Sequence, residues 1–302
     1  MKSTFKNFFQ NIVLFILTVF FIFVFASVFL VFYTRHHLDF DPADKDIEKA
    51  VIYGDVRSGY VTHMQIANMI ESEKPNMVLF TGDIASNSRN YIHYLQFALF
   101  EKKLWDNAEY FPVRGNHEST YWLYDLFFEL PNNSSYYSFD RMGMHFIVLD
   151  CWDVFNPLDE KQLAWLKEDL AKNDGKPISV AMHVPLFTSG KYEPYDAPYL
   201  LELFDKYNVL FVFSAHVHSY ERSLYKGTNY IVTAGGGAPL YPETRENPYK
   251  IFRKNTHHYT VLTREDDVYT LKAIDINGKV IDTVTTSLKS VLSNKKGLVQ
   301  WF

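Results

Sequence analysis

The N-terminal part of the chain contains one long apolar segment, and this segment limits the possible folds more than any other feature. Residues 12–33 read IVLFILTVFFIFVFASVFLVFY and include no charged side chain. As an α-helix the segment is about 33 Å long, which is enough to cross the hydrocarbon core of a bilayer. Because a helix that is apolar on every face has no place on the surface of a soluble domain, we predict a single transmembrane helix at residues 12–33.

A cleavable signal peptide is the alternative interpretation of this segment. Signal peptides have an apolar region of roughly 7–15 residues and a small-x-small cleavage site, whereas this segment is longer and its Phe-Ala-Ser-Val stretch is a poor site. We therefore favour an uncleaved anchor. Lys2 and Lys6 precede the segment, and an acidic run at 39–46 follows it. The positive-inside rule places residues 1–11 in the cytoplasm and the rest of the chain on the extracytoplasmic side of the membrane.

The remaining sequence divides into a short stalk, one domain and a tail. We assign residues 34–48 to a polar stalk, residues 49–287 to the domain, and residues 288–302 to a C-terminal tail with a frayed end. Inside the domain, short apolar runs alternate with helical patterns as far as Ser214, and strand patterns follow. This alternation predicts an α/β domain built from strand–helix–strand units.

Charge and cysteine content exclude two classes of protein. The chain has 30 Lys and Arg residues against 35 Asp and Glu residues, a net charge of −5, so nucleic acid is not expected as a partner. Cys151 is the only cysteine, which excludes a disulfide framework and a cysteine-based zinc cluster. A metal site in this chain would therefore use oxygen and nitrogen ligands.

Polar side chains follow five of the predicted strands, at the point where each strand ends. These residues are Asp55, Asp83, Asn116 with His117, His183, and His216 with His218. In α/β sheets, ligands bind at the carboxyl ends of the strands. A single Asp or His after a strand is usually a turn residue or a helix cap. Five strand ends that all deliver such residues indicate one shared site.

The donor set indicates metal ions bound without thiolate. Carboxylate, amide oxygen and imidazole suit Mn, Fe or Zn. Two Asp, one Asn and three of the His residues make six candidate ligands, which exceed the needs of one catalytic ion with open positions and suit two divalent or trivalent ions ~3.5–4 Å apart and bridged by a carboxylate. Such pairs hydrolyse phosphate esters, because they polarise the phosphoryl oxygens and lower the pKa of the attacking water.

Five sequence features resemble the calcineurin-like metallophosphoesterase superfamily. They are Gly54-Asp55-x-Arg57, Gly82-Asp83-x-x-x-Asn87, Gly115-Asn116-His117-Glu118, His183 and Ala215-His216-Val217-His218. The stretches SYYSFD, HFIVLD, HVPLF and AHVHSYER are similar to its purple-acid-phosphatase-related branch. The resemblance covers residues 49–287. It implies a four-layer αββα sandwich, in which two mixed β-sheets pack face to face with helices outside.

The resemblance also implies a role for each of these residues. One metal would be held by Asp55, Asp83 and His218. The second metal would be held by Asp83, Asn116, His183 and His216, so that Asp83 bridges the two ions. His117 would contact the substrate and protonate the leaving alkoxide, which is otherwise a poor leaving group. Asn116 would also contact the substrate, and Glu118 would be structural.

Two positions depart from the family pattern. Arg57 stands where the family has a histidine ligand, and a guanidinium cannot coordinate a metal. Ser86 stands where purple acid phosphatases have a tyrosine ligand, so the purple colour is not expected. The first metal keeps three protein ligands: water completes its shell, or it binds weakly, or the site uses one ion. Arg57 either binds the substrate phosphate or forms a salt bridge with a local carboxylate.

The leading functional hypothesis is an enzyme that hydrolyses phosphate esters, with phosphomonoesters favoured. Its partners would be a small-molecule phosphate ester and, through residues 12–33, the membrane. One alternative is a phosphodiesterase that acts on cyclic nucleotides or phospholipids. Another is a non-catalytic module that binds a phosphate-bearing ligand after erosion of its first metal site. Because His117 and all four ligands of the second metal are present, we favour the enzyme.

Overall fold

The computed structural model describes residues 2–38, 40–41, 47–118, 121–152 and 158–299. Most of the acidic run at 39–46 and residues 300–302 of the predicted tail lie outside the described residues. The helices are α1 (Lys2–Thr34), α2 (Tyr60–Glu73), α3 (Tyr91–Asn107), α4 (Tyr121–Phe127), α5 (Glu160–Lys172), α6 (Pro198–Lys206) and α7 (Leu288–Val299).

Thirteen strands are defined in the described part of the chain. They are β1 (Lys49–Tyr53), β2 (Met77–Phe80), β3 (Glu109–Pro112), β4 (Tyr137–Arg141), β5 (Met144–Val148), β6 (Ile178–Ala181), β7 (Val209–Ser214), β8 (Tyr220–Tyr225), β9 (Thr228–Thr233), β10 (Lys250–Lys254), β11 (His258–Glu265), β12 (Val268–Asp275) and β13 (Val280–Thr286).

The strands form two sheets, and both are mixed. The first has the order β13-β12-β11-β1-β2-β3, in which β1, β2 and β3 are parallel and the other pairs are antiparallel. The second has the order β10-β8-β9-β7-β6-β5-β4, and its parallel part is β5, β6, β7 and β9. Strands with both faces buried read as continuous apolar runs, which is why the AVIY and MVLF runs mark β1 and β2.

The main hydrophobic core lies between the two sheets. Alternate residues of a strand point to opposite faces, so Ile52 of β1 contacts this core while Val51 faces the helices. Phe111 of the first sheet stacks on Phe139 of the second, with ring centroids 3.7 Å apart. Helices α2, α3 and α4 cover the outer face of the first sheet, and α5 and α6 cover the second. The predicted four-layer αββα sandwich is therefore confirmed.

Helix α1 is long and apolar enough to cross a membrane from Gln10 to Thr34, a test that an N-terminal signal sequence also passes. Its last turns contact the domain, although we expected a polar stalk to begin at residue 34. Thr34 and His36 are buried, and the His36 ring contacts the rings of Trp105, Tyr110 and Phe128. The first residues of the predicted stalk are therefore packed into the domain.

Three elements were not expected from the sequence. Strand β8 has the sequence YERSLY. Because it contains charged residues it lacks the apolar pattern of a buried strand, although Glu221 within it is buried. Strand β10, KIFRK, lies at a sheet edge and is equally polar. The tail that we expected to be frayed contains α7, because Val291 packs into the core between the sheets.

Candidate metal centre

The candidate site lies where the carboxyl ends of five parallel strands meet. Asp55, Asp83 and Asn116 follow β1, β2 and β3 of the first sheet, and His183 and His216 follow β6 and β7 of the second. Parallel strands direct their carboxyl ends to one edge, and the face-to-face packing brings the two edges together. The structure thus places the predicted site residues in one cluster at the top of the sandwich.

Backbone conformation directs three of these side chains into the cluster. Asp55, Asp83 and His216 have φ values of 56°, 63° and 65°, in the left-handed region that residues other than glycine rarely adopt. Backbone strain of this kind is typical of functional sites, where the surrounding structure holds it in place. Each strained residue forms the turn by which the chain leaves its strand.

Four donor atoms lie next to one another in the cluster. The Oδ1 atom of Asn116 lies 3.0 Å from His183 Nε2 and 2.9 Å from His216 Nδ1. His183 Nε2 also lies 3.3 Å from Asp83 Oδ1. Ligands that share an ion at about 2.1 Å lie roughly 3 Å apart, so these separations fit a single metal ion. We call Asp83, Asn116, His183 and His216 the second ligand set.

Hydrogen bonds outside the cluster orient the histidines. His183 Nδ1 donates to the Thr81 carbonyl at 2.8 Å, which directs its Nε2 into the site. His218 Nδ1 donates in the same way to the Pro239 carbonyl at 2.6 Å. Backbone partners of this kind fix the tautomer of metal-binding histidines. Both rings are therefore positioned as ligands before any ion binds.

Electrostatics keep the second ligand set ready for a cation. Burial opposes ionisation of Asp83, but the charges of His183, His117 and Arg57 outweigh it and lower the pKa of Asp83 to about 2. Burial, together with the charge of His183, lowers the pKa of His216 to about 3. At neutral pH the carboxylate is therefore ionised and the His216 imidazole is neutral, which are the forms that bind metals. Burial opposes protonation of His183, but the carboxylates of Asp83 and Asp55 outweigh it and raise the pKa of His183, so an ion bound at its Nε2 replaces a proton.

The first ligand set consists of Asp55, Asp83 and His218, and the Arg57 side chain lies among its ligand atoms. Asp55 Oδ1 is buried without a hydrogen bond among the described residues, 3.0 Å from His218 Nε2, as suits a ligand pair. However, Arg57 Nε donates to Asp83 Oδ2 at 3.1 Å, and Arg57 Nη2 lies 3.5 Å from His218 Nε2. Of the two alternatives for Arg57, the structure contains the salt bridge.

His117 lies beside the ligand sets and belongs to neither. Its Nδ1 donates to the Ser86 carbonyl at 2.8 Å, and its Nε2 lies 3.8 Å from Asp83 Oδ2. About a quarter of the His117 side chain is exposed, so the ring lies at the solvent-accessible side of the cluster. This position suits a group that exchanges a proton with a bound molecule.

Glu118 stabilises the backbone of the loops that carry the site residues. Its buried carboxylate accepts hydrogen bonds of 2.9 Å from the backbone N–H groups of Asp83, Ile84 and Gly115. A side chain at Gly115 would place its Cβ 2.4 Å from Asp83 Oδ1, so only glycine fits there. Glu118 therefore connects the loops after β2 and β3, in agreement with the structural role expected for it.

Tyr241 is also part of the site, although we did not predict it from the sequence. Its ring stacks on His218 with centroids 4.2 Å apart, and its hydroxyl accepts a hydrogen bond from Arg57 Nη2 at 3.3 Å. The preceding run Gly235-Gly236-Gly237 was the available signal, because a Cβ at Gly236 would approach the Gly54 carbonyl to 2.5 Å. The run brings this loop against the end of β1.

The two mixed sheets and the cluster of Asp, Asn and His side chains are typical of a metallophosphoesterase. The family model described as "Calcineurin-like phosphoesterase" matches residues 49–220, which is more than half of the chain. The chain therefore belongs to the calcineurin-like phosphoesterase family, as the motifs predicted.

Relatives and solved structures agree with the purple-acid-phosphatase-related branch. The chain is 29% identical to purple acid phosphatase 15 of Arabidopsis thaliana over 240 residues, which cover 63% of this chain and 45% of the relative. It is 38% identical to purple acid phosphatase 23 of the same plant over 130 residues, covering 36% and 28%. The chain thus matches less than half the length of these relatives. A purple acid phosphatase from yellow lupin (Lupinus luteus) seeds shares the fold, with a TM-score of 0.72, 20% identity, and coverage of 83% and 56%.

Proposed function

We propose that the protein is a membrane-anchored, metal-dependent phosphatase that hydrolyses phosphomonoesters. The proposal depends on one observation, the convergence of four donor atoms in the second ligand set with His117 beside them. A divalent ion such as Mn, Fe or Zn, when bound there, polarises the phosphoryl group and lowers the pKa of the attacking water. The other proposed contributions to catalysis come from His117, Arg57 and Asn116.

His117 is proposed to protonate the leaving oxygen. The Ser86 carbonyl fixes the ring through Nδ1, so the proton available to a substrate is carried on Nε2. This atom lies 3.8 Å from Asp83 Oδ2, beside the second ligand set. Because an alkoxide is a poor leaving group, proton transfer at this point contributes typically 10²–10⁴-fold to the rate.

Arg57 is proposed to supply positive charge where relatives would bind a first ion. Its guanidinium contacts Asp83 Oδ2 and approaches His218 Nε2, two of the three ligands of the first set. A second cation at this place would have to displace Arg57. We infer that one ion binds tightly in the second ligand set, and that Arg57 and Asn116 assist in holding the substrate phosphate.

Metal stoichiometry tests the role of Arg57. Wild-type protein is expected to retain close to one Mn²⁺ per chain after dialysis, measured by elemental analysis. In Arg57→His the new imidazole can coordinate, and the content is expected to approach two ions per chain. The matched variant Arg57→Gln removes the charge without adding such a ligand, and should stay close to one. Two tightly bound ions in the wild-type protein would contradict this assignment.

A comparison of two chromogenic esters tests the proposed reaction. With Mn²⁺ present, p-nitrophenyl phosphate should be hydrolysed faster than bis(p-nitrophenyl) phosphate, and a chelator should abolish both activities. Readdition of Mn²⁺ should restore both activities, because the fold holds the ligand residues in place without the ion. Faster hydrolysis of the diester would instead favour the phosphodiesterase alternative.

Helix α1 is proposed as the membrane anchor, with the domain on the extracytoplasmic side. The exposed apolar stretch from Gln10 supports the anchor, and Lys2 and Lys6 support the sidedness. Protease added to intact cells should digest the domain and leave residues 1–11 protected. Digestion only after the cells are opened would reverse the proposed topology.

A further inference from the structure

Helix α1 and helix α3 lie side by side and run in the same direction. Three contacts follow one another along both segments: Tyr91 Oη donates to the Ser27 carbonyl at 3.2 Å, Lys102 Nζ lies 5.2 Å from the centre of the Tyr33 ring, and the Trp105 ring lies 5.5 Å from the His36 ring. The N-terminal end of α3 is therefore the end from which α1 leaves the domain.

The part of α1 that precedes these contacts projects away from the domain. Residues 10–26 are all exposed, and at ~1.5 Å per residue they extend for about 25 Å. This stretch covers only the N-terminal part of the predicted span at 12–33, because the later residues contact the domain. When it is inserted in a bilayer, the membrane surface lies beside the N-terminal end of α3. The orientation of the domain relative to the membrane thus follows from the α1–α3 contacts.

The opening of the metal site lies at the same end of the domain. Helices α2, α3 and α4 each begin shortly after one of the site loops, because they follow the carboxyl ends of β1, β2 and β3. The His117 ring donates to the Ser86 carbonyl, and Asn90, four residues later, caps the first turn of α3. His117 is therefore next to the helix end that faces the membrane.

Exposed apolar side chains surround this end of the domain. The second residue of each of the three helices is large, apolar and exposed: Val61 of α2 (76%), Ile92 of α3 (54%) and Trp122 of α4 (58%). A single exposed apolar residue needs no explanation. Three at matching positions, on the side from which α1 projects, suit contact with the bilayer interface, where tryptophan is enriched.

We propose that the metal site opens toward the bilayer and that its substrate is a phosphomonoester carried in the headgroup layer, such as a phosphorylated glycerolipid. This inference rests on the proposed phosphatase function and the membrane anchor. The P–O bond to the lipid breaks, a water oxygen bonds to phosphorus, and the lipid oxygen leaves with a proton from His117. One proton of the water stays on the phosphate, and the other restores the protonated His117. Inorganic phosphate enters the water, and the lipid alcohol stays in the bilayer.

Two esters with the same phosphomonoester head group test the inference. The 302-residue protein is reconstituted with Mn²⁺ in phosphatidylcholine vesicles that contain dioleoyl phosphatidic acid, or that have glycerol 3-phosphate on both sides of the membrane. At equal bulk concentration, phosphate release from the lipid should be at least roughly tenfold faster, since the lipid is concentrated at the surface that the site faces. Equal or faster hydrolysis of glycerol 3-phosphate would overturn the inference and leave the phosphatase function standing. No release from either ester would overturn both.

Charge substitutions at the apolar positions separate membrane contact from folding. Ile92→Glu and Trp122→Glu should each lower hydrolysis of the vesicle-borne lipid roughly tenfold, and leave hydrolysis of glycerol 3-phosphate unchanged, because a carboxylate opposes insertion into the interface. Val268→Glu is the matched control. It is 41% exposed in the hairpin beyond the amino end of β1, at the opposite end of the first sheet. Equal effects of all three variants on the lipid would contradict the proposal.

A fluorescent label reports the orientation without any activity measurement. Arg89→Cys places the label just before α3, and Asn107→Cys places it at the far end, about 25 Å away. Both positions are exposed, whereas the native Cys151 is buried. Spin-labelled lipids should quench the label at position 89 and not the label at position 107. The reverse pattern, or equal quenching, would overturn the orientation.

Discussion

Asp83→Asn is expected to lose tightly bound metal and to lower phosphomonoesterase activity by more than roughly 100-fold, the upper range for removal of an outer partner of a metal ligand. Asp83 belongs to both ligand sets, and its low pKa keeps it ionised at neutral pH. An amide at this position has no charge to balance the cation. Elemental analysis and hydrolysis of p-nitrophenyl phosphate measure the two losses.

The matched control for Asp83→Asn is Asp282→Asn. Asp282 also forms a partly buried ion pair, with Arg222 Nε at 2.6 Å, but on strands β13 and β8 away from the site. This variant should keep metal and activity even if its melting temperature falls. A folded Asp83→Asn protein with full metal content and wild-type turnover would contradict the role of Asp83.

His117→Gln is expected to keep the metal and to slow hydrolysis of alkyl phosphates by roughly 10²–10⁴-fold, the usual contribution of a general acid. The same variant should lose much less activity on p-nitrophenyl phosphate, because nitrophenolate is a stable anion that leaves without a proton. Steady-state rates on glycerol 3-phosphate and p-nitrophenyl phosphate give the ratio that distinguishes the two cases.

His37→Gln serves as the control for His117→Gln. His37 lies just after α1, is largely exposed and contacts Glu129, so its replacement should change neither rate. An equal loss of His117→Gln activity on both esters would exclude proton donation to the leaving group. A loss of metal in the same variant would assign His117 to the ligands instead.

The position of the metal site was predictable from the sequence because it depends on a local rule. Each of five short apolar runs ends in Asp, Asn or His, and parallel strands bring such ends to one edge. The structure places Asp55, Asp83, Asn116, His183 and His216 accordingly. The order of strands was not predictable in the same way, because β11 pairs with β1 and β9 with β7 through contacts distant in sequence.

The features missed from the sequence depend on three-dimensional proximity. Two partners were possible for Arg57, a phosphate or a carboxylate, and only the fold shows Asp83 within reach. Tyr241 stacks on His218 although neither its composition nor its spacing marks it. The packing of α1 on α3 could not be predicted, because His36 lies in a polar stretch of the sequence. Only the structure shows the aromatic rings that surround it.

A metal titration of the purified 302-residue chain tests whether turnover depends on bound metal. Metal-free protein is mixed with increasing Mn²⁺, and bound metal and hydrolysis of p-nitrophenyl phosphate are measured on the same samples. Turnover should be absent without metal and should rise in proportion to bound Mn²⁺ until one ion per chain is reached. Metal-replete protein that hydrolyses no phosphate ester, or metal-free protein with full activity, would contradict a metal-dependent phosphatase.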